Sequence, residues 1–355
     1  MLKLDQINWF RPFVFPLFVV LLISATSMFC PGVCAEEDKL LAPFWIQGTG
    51  AVKKPILCLR DDAPFIVQGE RPYLQKIFPD ERKVKQIDFP YSLEPISLSA
   101  TSEGKLYFVA RDKVENKFYL EGEEGLKSHV LPEEITEGHL AQLSLAASKY
   151  GIAFRISNLI YILEQEGDGE VWRKVEIPPV RAGKDPSSFV VGNEGVFLGY
   201  AMGESGGALV AFDRKKKEFF LTRKVSNINY MCVDRGGRLW FTCTSNYFLD
   251  VAGSLHSFAG EKVFLHASTQ TNASRSSNWN YPATIFSSLA FDKANQIYLG
   301  TSSQGVFKSD KGKFVRVSKG FEDGGKSSRV DAILPIEEGI LFSVADHGVY
   351  LQRYN

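Results

Sequence analysis

The stretch "VDRGGRLWFTCTSN", residues 233–246, decides the fold. An Asp and a Gly-Gly pair mark a turn, "LWF" is a short apolar run, and small polar residues follow. One such stretch is a β-hairpin; several at a fixed interval are an architecture. Equivalent apolar runs occur at Phe65-Ile66-Val67, Leu106-Tyr107-Phe108, Ile152-Ala153-Phe154, Val196-Phe197-Leu198, Leu239-Trp240-Phe241, Ile297-Tyr298-Leu299 and Ile340-Leu341-Phe342. Each follows a turn, among them "SEGK", "GNEG", "DRGGR", "DKANQ" and "IEEG". Before most turns lies another apolar run, such as "PISLSA", "SSFVV", "INYMCV" or "VDAILPI". After each landmark come two more strand-like runs around a charged turn, as in "LVAFDRKKKEFFLTRK".

The unit is therefore four short strands, and it recurs seven times. A four-stranded sheet is too small to cover its own faces, but sheets packed radially cover one another. The pattern predicts an all-β fold, a β-propeller of seven four-stranded blades; six or eight blades also fit, because the first unit is the least regular. The final unit, from Val330, shows three strands, and "KLLAPFWIQGTG" (39–50) is expected to supply the fourth. That closure joins the two ends of the chain in one sheet and removes exposed edges. Helical periodicity is confined to a turn within "PEEITEGHLAQL".

Within the opening stretch, Gly236 and Gly237 are expected to take positive φ. Asp234, and Asp292 in the next unit, are expected to accept turn N–H groups. Trp240 is expected to fill space between blades. Cys232 and Cys243 flank the turn; a four-residue turn places them diagonally on one face, where a disulfide can form. Three buried thiols, with Cys58, is the favoured reading. The basic run Arg214–Lys217 reads as a solvated hairpin tip.

The N-terminus differs in kind. Lys3 and Arg11 precede "FVFPLFVVLLISATSMF" (13–29), with Val33 and Ala35 at the small-residue positions of a cleavage site. Residues 1–35 read as a signal peptide, leaving a single domain over 36–355 that is secreted or periplasmic. A retained anchor over residues 12–29 is the alternative, and the one route to a membrane. Lys+Arg and Asp+Glu are both 41, so no basic field exists to hold nucleic acid.

"VDRGGRLWFTCTSN" and "FDKANQIYLGTSSQGVFKSDKGKFVRVS" (291–318) together resemble the D-x-x-G-x-L-W-x-G-T…G-[LV]-x-[KR] repeat of two-component-regulator propellers. That family occurs in sensory ectodomains and stand-alone exported proteins. The resemblance implies the fold and a binding or sensing role, and carries no catalytic motif.

In a propeller, turns between second and third strands share one face with the links between blades, and function concentrates on such loops. The ends of the second strands present Arg111 and Asp112, Arg155 and Asn158, Tyr200 and Glu204, Asn246, Gln304, and Asp346 with His347. An inserted loop over 266–284 adds Arg275, Trp279 and Tyr281. These polar groups of both signs suit a protein, peptide or glycan ligand bound without catalysis or cofactor. The alternative is a metal-dependent hydrolase, lyase or lactonase holding calcium through Glu204, Asn158, Asn246 and Asp346 at the channel mouth.

Overall fold

The computed structural model describes residues 44–45, 55–60, 63–68, 73–87, 93–101, 105–112, 117–122, 129–140, 142–180, 185–247, 250–269, 284–319 and 329–354. The chain divides into two compact units, Met1–Lys39 and Leu40–Asn355, and every described residue belongs to the second. That unit is seven antiparallel four-stranded sheets. In chain order the blades are I (55–87), II (93–130), III (144–176), IV (188–225), V (227–268), VI (286–318) and VII (330–353 with 44–45). The first strands of neighbouring blades touch all the way round, blade VII against blade I included. Phe44 pairs with Leu351 and Trp45 with Tyr350, so the N-terminal strand forms the outer edge of blade VII, as the sequence predicts.

The apolar triplets all lie in second strands. Their unbroken hydrophobicity has a physical cause. A strand points successive side chains to opposite faces, and here both faces are covered, so both parities must be apolar. In the second strand of blade V (Leu239–Tyr247), Leu239, Phe241 and Cys243 pack towards blade IV, whereas Trp240 packs towards blade VI. Every seam carries such a cluster, so the core is seven wedges rather than one centre. The expected helical turn is a short helix, Glu137–Leu140.

The repeat motif is a clamp between turn and strand. Asp234 is buried; its Oδ1 accepts the Arg238 N–H at 2.9 Å and its Oδ2 the Trp240 Nε1–H at 3.0 Å. Asp292 repeats this, accepting from Ala294 and Gln296 N–H at 2.9 Å and from the Tyr298 hydroxyl at 3.3 Å. An Asp thus ties the turn to an aromatic six residues on, which also packs into a seam.

Several expectations change. Only Gly237, not Gly236, has positive φ, at 81°. A Cβ at Gly237 would lie 2.5 Å from Asn193 and 2.6 Å from Tyr150, so glycine also permits close approach of the neighbouring turns. Cys58, Cys232 and Cys243 form no disulfide, in keeping with the favoured reading of three thiols. The loop between Val233 and Leu239 holds five residues, so Cys232 pairs with Trp240 and packs towards blade VI, while Cys243 packs towards blade IV. One extra loop residue reverses the facing parity and puts the two sulfurs on opposite sides of the sheet. The basic tip is solvated at Lys215–Lys217, but Arg214 is partly buried and donates to the Tyr150 carbonyl at 2.6 Å. The inserted loop begins later than expected, because Lys262–Ser268 is the fourth strand of blade V.

Candidate functional site

Antiparallel order puts the second-to-third turns and the blade-to-blade links at one end of the strands. At the seam of blades III and IV that end holds a recessed polar seat. Arg155 closes the second strand of blade III (Gly151–Ile156). Phe154 and Ile156 face blade II, so alternation turns Arg155 to blade IV. Its side chain is 6% exposed. Nη1 donates to the Ser157 carbonyl at 2.6 Å and to Asp185 Oδ1 at 3.0 Å. Nε is buried and has no partner.

Asp185 lies on the link between the two blades, with its side chain 80% exposed. Tyr200, on the second strand of blade IV (Gly195–Ala201), is buried in the same seam. Burial pushes its phenol above the usual range, while the Arg155 charge pulls it down and Asp185 pushes it up. On the same loop face a 3-10 turn, Gly203–Ser205, lies against the second strand of blade V and presents Glu204 to solvent. Asn227 steadies this turn by donating from Nδ2 to the Gly203 carbonyl at 2.8 Å, and its buried Oδ1 has no partner. Chemically the seat is a fixed guanidinium with an unused N–H, covered by a solvated carboxylate.

The other expected residues that the structure describes are spread around the same rim. Arg111 reaches Glu137 at 3.3 Å, and that glutamate points outward. Asn158 donates to Glu176 Oε1 at 3.1 Å. Gln304 donates its N–H to Thr301 Oγ1 at 2.9 Å, and its carbonyl accepts from Arg316 Nε at 2.8 Å. Asp346 is exposed in a left-handed turn residue, φ 61°. The adjacent Arg329 is held more basic than usual, chiefly by its bond to Asp331 and further by Asp346. The His347 N–H donates to the Val344 carbonyl at 3.1 Å. Asn246 pairs with Val251 at the end of its strand, and its side chain lies outside the described residues, as do Arg275, Trp279 and Tyr281. Of the proposed calcium ligands, Asn158 is engaged by Glu176, and Glu204 and Asp346 stand on different blades. Among the described residues, no group of three or more His, Cys, Asp or Glu is placed to share a metal ion.

The structure therefore gathers Arg155 and Tyr200, and engages Arg111, Asn158 and Gln304 in separate local contacts. Sequence reading misses Asp185 and Asn227. Both sit in or next to a link between blades, and "GKDPSS" and "VSNIN" carry the signal once those links are assigned to this face.

The class is a seven-bladed β-propeller with a polar loop face. No protein-family model and no curated protein matches the sequence. Solved structures do resemble it in fold. Virginiamycin B lyase from Staphylococcus aureus is 13% identical, with a TM-score of 0.51 over 88% of this chain and 98% of that one. The extracellular domain of the hybrid two-component system BT4673 from B. thetaiotaomicron is 13% identical, with a TM-score of 0.50 over 89% of this chain and 40% of that one. YCF48 bound to D1 peptide is 12% identical, with a TM-score of 0.52 over 88% of this chain and 96% of that one. The sensory-ectodomain resemblance read from residues 233–243 and 291–318 thus has a structural counterpart at the level of the fold. Among the described residues, no helix is long and apolar enough to cross a membrane.

Proposed function

We propose that the protein is an exported propeller that binds a polypeptide segment through its loop face, without catalysis, and seats a carboxylate of that segment on Arg155. The observation that carries this reading is the buried guanidinium with a partnerless Nε. A buried donor without a partner costs on the order of 1–3 kcal/mol, so its retention asks for a reason. Asp185 caps the same guanidinium at Nη1 through one bond from an 80% exposed side chain, an arrangement that is cheap to displace. An incoming carboxylate that displaces Asp185 can take Nε and Nη2 together, the side-on bidentate geometry that favours Arg. Tyr200 supplies an apolar wall in the same seam, and the exposed Glu204 on the same loop face offers a further polar contact. YCF48, of similar fold, is bound to the D1 peptide in its solved structure. Export rests on the charged, apolar and small-residue succession in residues 1–35.

A random-peptide selection against the mature chain tests this. The expected peptides share an acidic side chain or require a free C-terminus. Arg155→Lys weakens them at least tenfold with an unchanged thermal midpoint, and Asp185→Ala tightens them. Selected peptides indifferent to Arg155→Lys and to Glu204→Arg would overturn the reading, and saturable binding of glycans in place of peptides would replace its ligand.

A further inference from the structure

The opposite end of the strands carries a cleft of about 730 Å³, lined by blades VI, VII and I and the C-terminal Tyr354. It is built from first-to-second turns (292–294 and 337–338) and a third-to-fourth turn (79–81), so it lies on the face away from Arg155. Its size suits a small molecule.

The chemistry centres on Lys308. Its Nζ stands 5.3 Å from the centroid of the Tyr298 ring and 5.5 Å from that of Tyr354. The two phenols are themselves fixed. The Tyr298 hydroxyl donates to Asp292, so the Tyr354 hydroxyl donates to the Tyr298 oxygen at 3.0 Å. Ring faces position an ammonium without neutralising it or using its N–H donors. Among the described residues Lys308 has no carboxylate partner, and Lys76, which also lines the cleft, is likewise placed over a ring, that of Phe78.

The nearby carboxylates are mostly engaged elsewhere. Asp80 takes Arg353, Glu81 takes Lys83, and Asp292 takes its turn N–H groups and Tyr298. Glu337 and Glu338 remain, exposed in the turn of blade VII. Pro64, Ile77, Phe78, Pro335 and Ile336 give the cleft apolar walls. A cation with unused donors inside such walls is complementary to an anion that carries an apolar body.

We infer that this cleft is a second binding site, for a small carboxylate with an aromatic or branched apolar body, its carboxylate on Lys308 and its body against the proline and isoleucine walls. The site is independent of the polypeptide seat on the loop face.

Titration with phenylacetate, followed by backbone amide shifts and by calorimetry, tests it, with phenethylamine as the probe of opposite charge. Phenylacetate is expected to saturate one site and to move residues 292–298 and 337–338. Lys308→Met lowers affinity at least tenfold, Lys308→Arg stays within about threefold because it keeps the charge, and Glu337→Gln with Glu338→Gln leaves binding equal or tighter. Overturning results are shifts confined to other regions, absence of saturable binding, equal binding to Lys308→Met, or phenethylamine binding at least as tightly. The amide shifts are read on the unaltered protein, so the test survives if Lys308→Met fails to fold. Peptide binding at Arg155 is expected to be unchanged at saturating phenylacetate.

Discussion

His256 makes the stability of blade V depend on pH, and the structure gives the size of the effect. It lies on the third strand of that blade (Asp250–Ala259), stacked on Phe241 with centroids 5.3 Å apart and planes 14° apart. Nε2 is 2.8 Å from Ser254 Oγ, and Nδ1 is buried without a partner. Burial, assisted by the charge of His266, pushes its pKa down to about 4. The unfolded chain takes up the proton near the ordinary value of about 6.5, while the folded chain resists until about 4. Between those values the unfolded state binds more protons, so stability falls as pH falls, and the loss is complete below about 4. At about 1.4 kcal/mol per unit the loss is about 3 kcal/mol, a large share of a typical folding free energy of roughly 5–15 kcal/mol. His256→Phe keeps a flat ring against Phe241 and removes the titration. Urea denaturation of both proteins from pH 7.5 to 4 is the assay. The unaltered protein should lose about 3 kcal/mol more than the variant across this window, with the carboxylates and His266 common to both. Parallel curves would refute the reasoning.

Trp240→Phe strands Asp234 Oδ2 inside the seam of blades V and VI. It should cost about 1–3 kcal/mol in chemical denaturation, and Asp234→Asn, whose amide NH2 would face one of the two N–H donors, should cost a similar amount. Trp45→Pro breaks the pairing that closes blade VII. A lower thermal midpoint and concentration-dependent aggregation from the freed edge are expected by calorimetry and light scattering. Burial pushes the Cys232 and Cys243 thiols far up, which disfavours the reactive thiolate. Mass spectrometry should find Cys232 and Cys243 unalkylated in the folded protein and alkylated in denaturant without any reductant.

What the sequence shows and what it hides divide along physical lines. The blade count and the closing strand were legible because burial on both faces forces unbroken apolar triplets such as Leu239-Trp240-Phe241 at a regular interval. The Asp of the repeat was legible as a turn residue. Its reach to the aromatic six residues on was not, because that bond depends on how a five-residue loop curls. The same loop length decides the facing of Cys232 and Cys243, and a single residue reverses it. Arg155 could be assigned to the loop face from its strand position, but its burial could not. That depends on the size of Tyr200 across the seam and on Asp185, thirty positions along the chain. The cleft around Lys308 draws on three blades and the chain's last residues, and no local pattern announces it.

The most direct test of the central claim, that the loop face is where a polypeptide partner docks, is site-specific photo-crosslinking in cells that produce the protein. One photoreactive residue replaces Glu204 on the loop face, and in a second protein one replaces Lys216 on the opposite tip, both exposed. A discrete crosslinked protein is expected from position 204, absent from position 216 and lost when Arg155→Lys is added. Equal crosslinking from both positions, or crosslinking from position 216 alone, would contradict the claim.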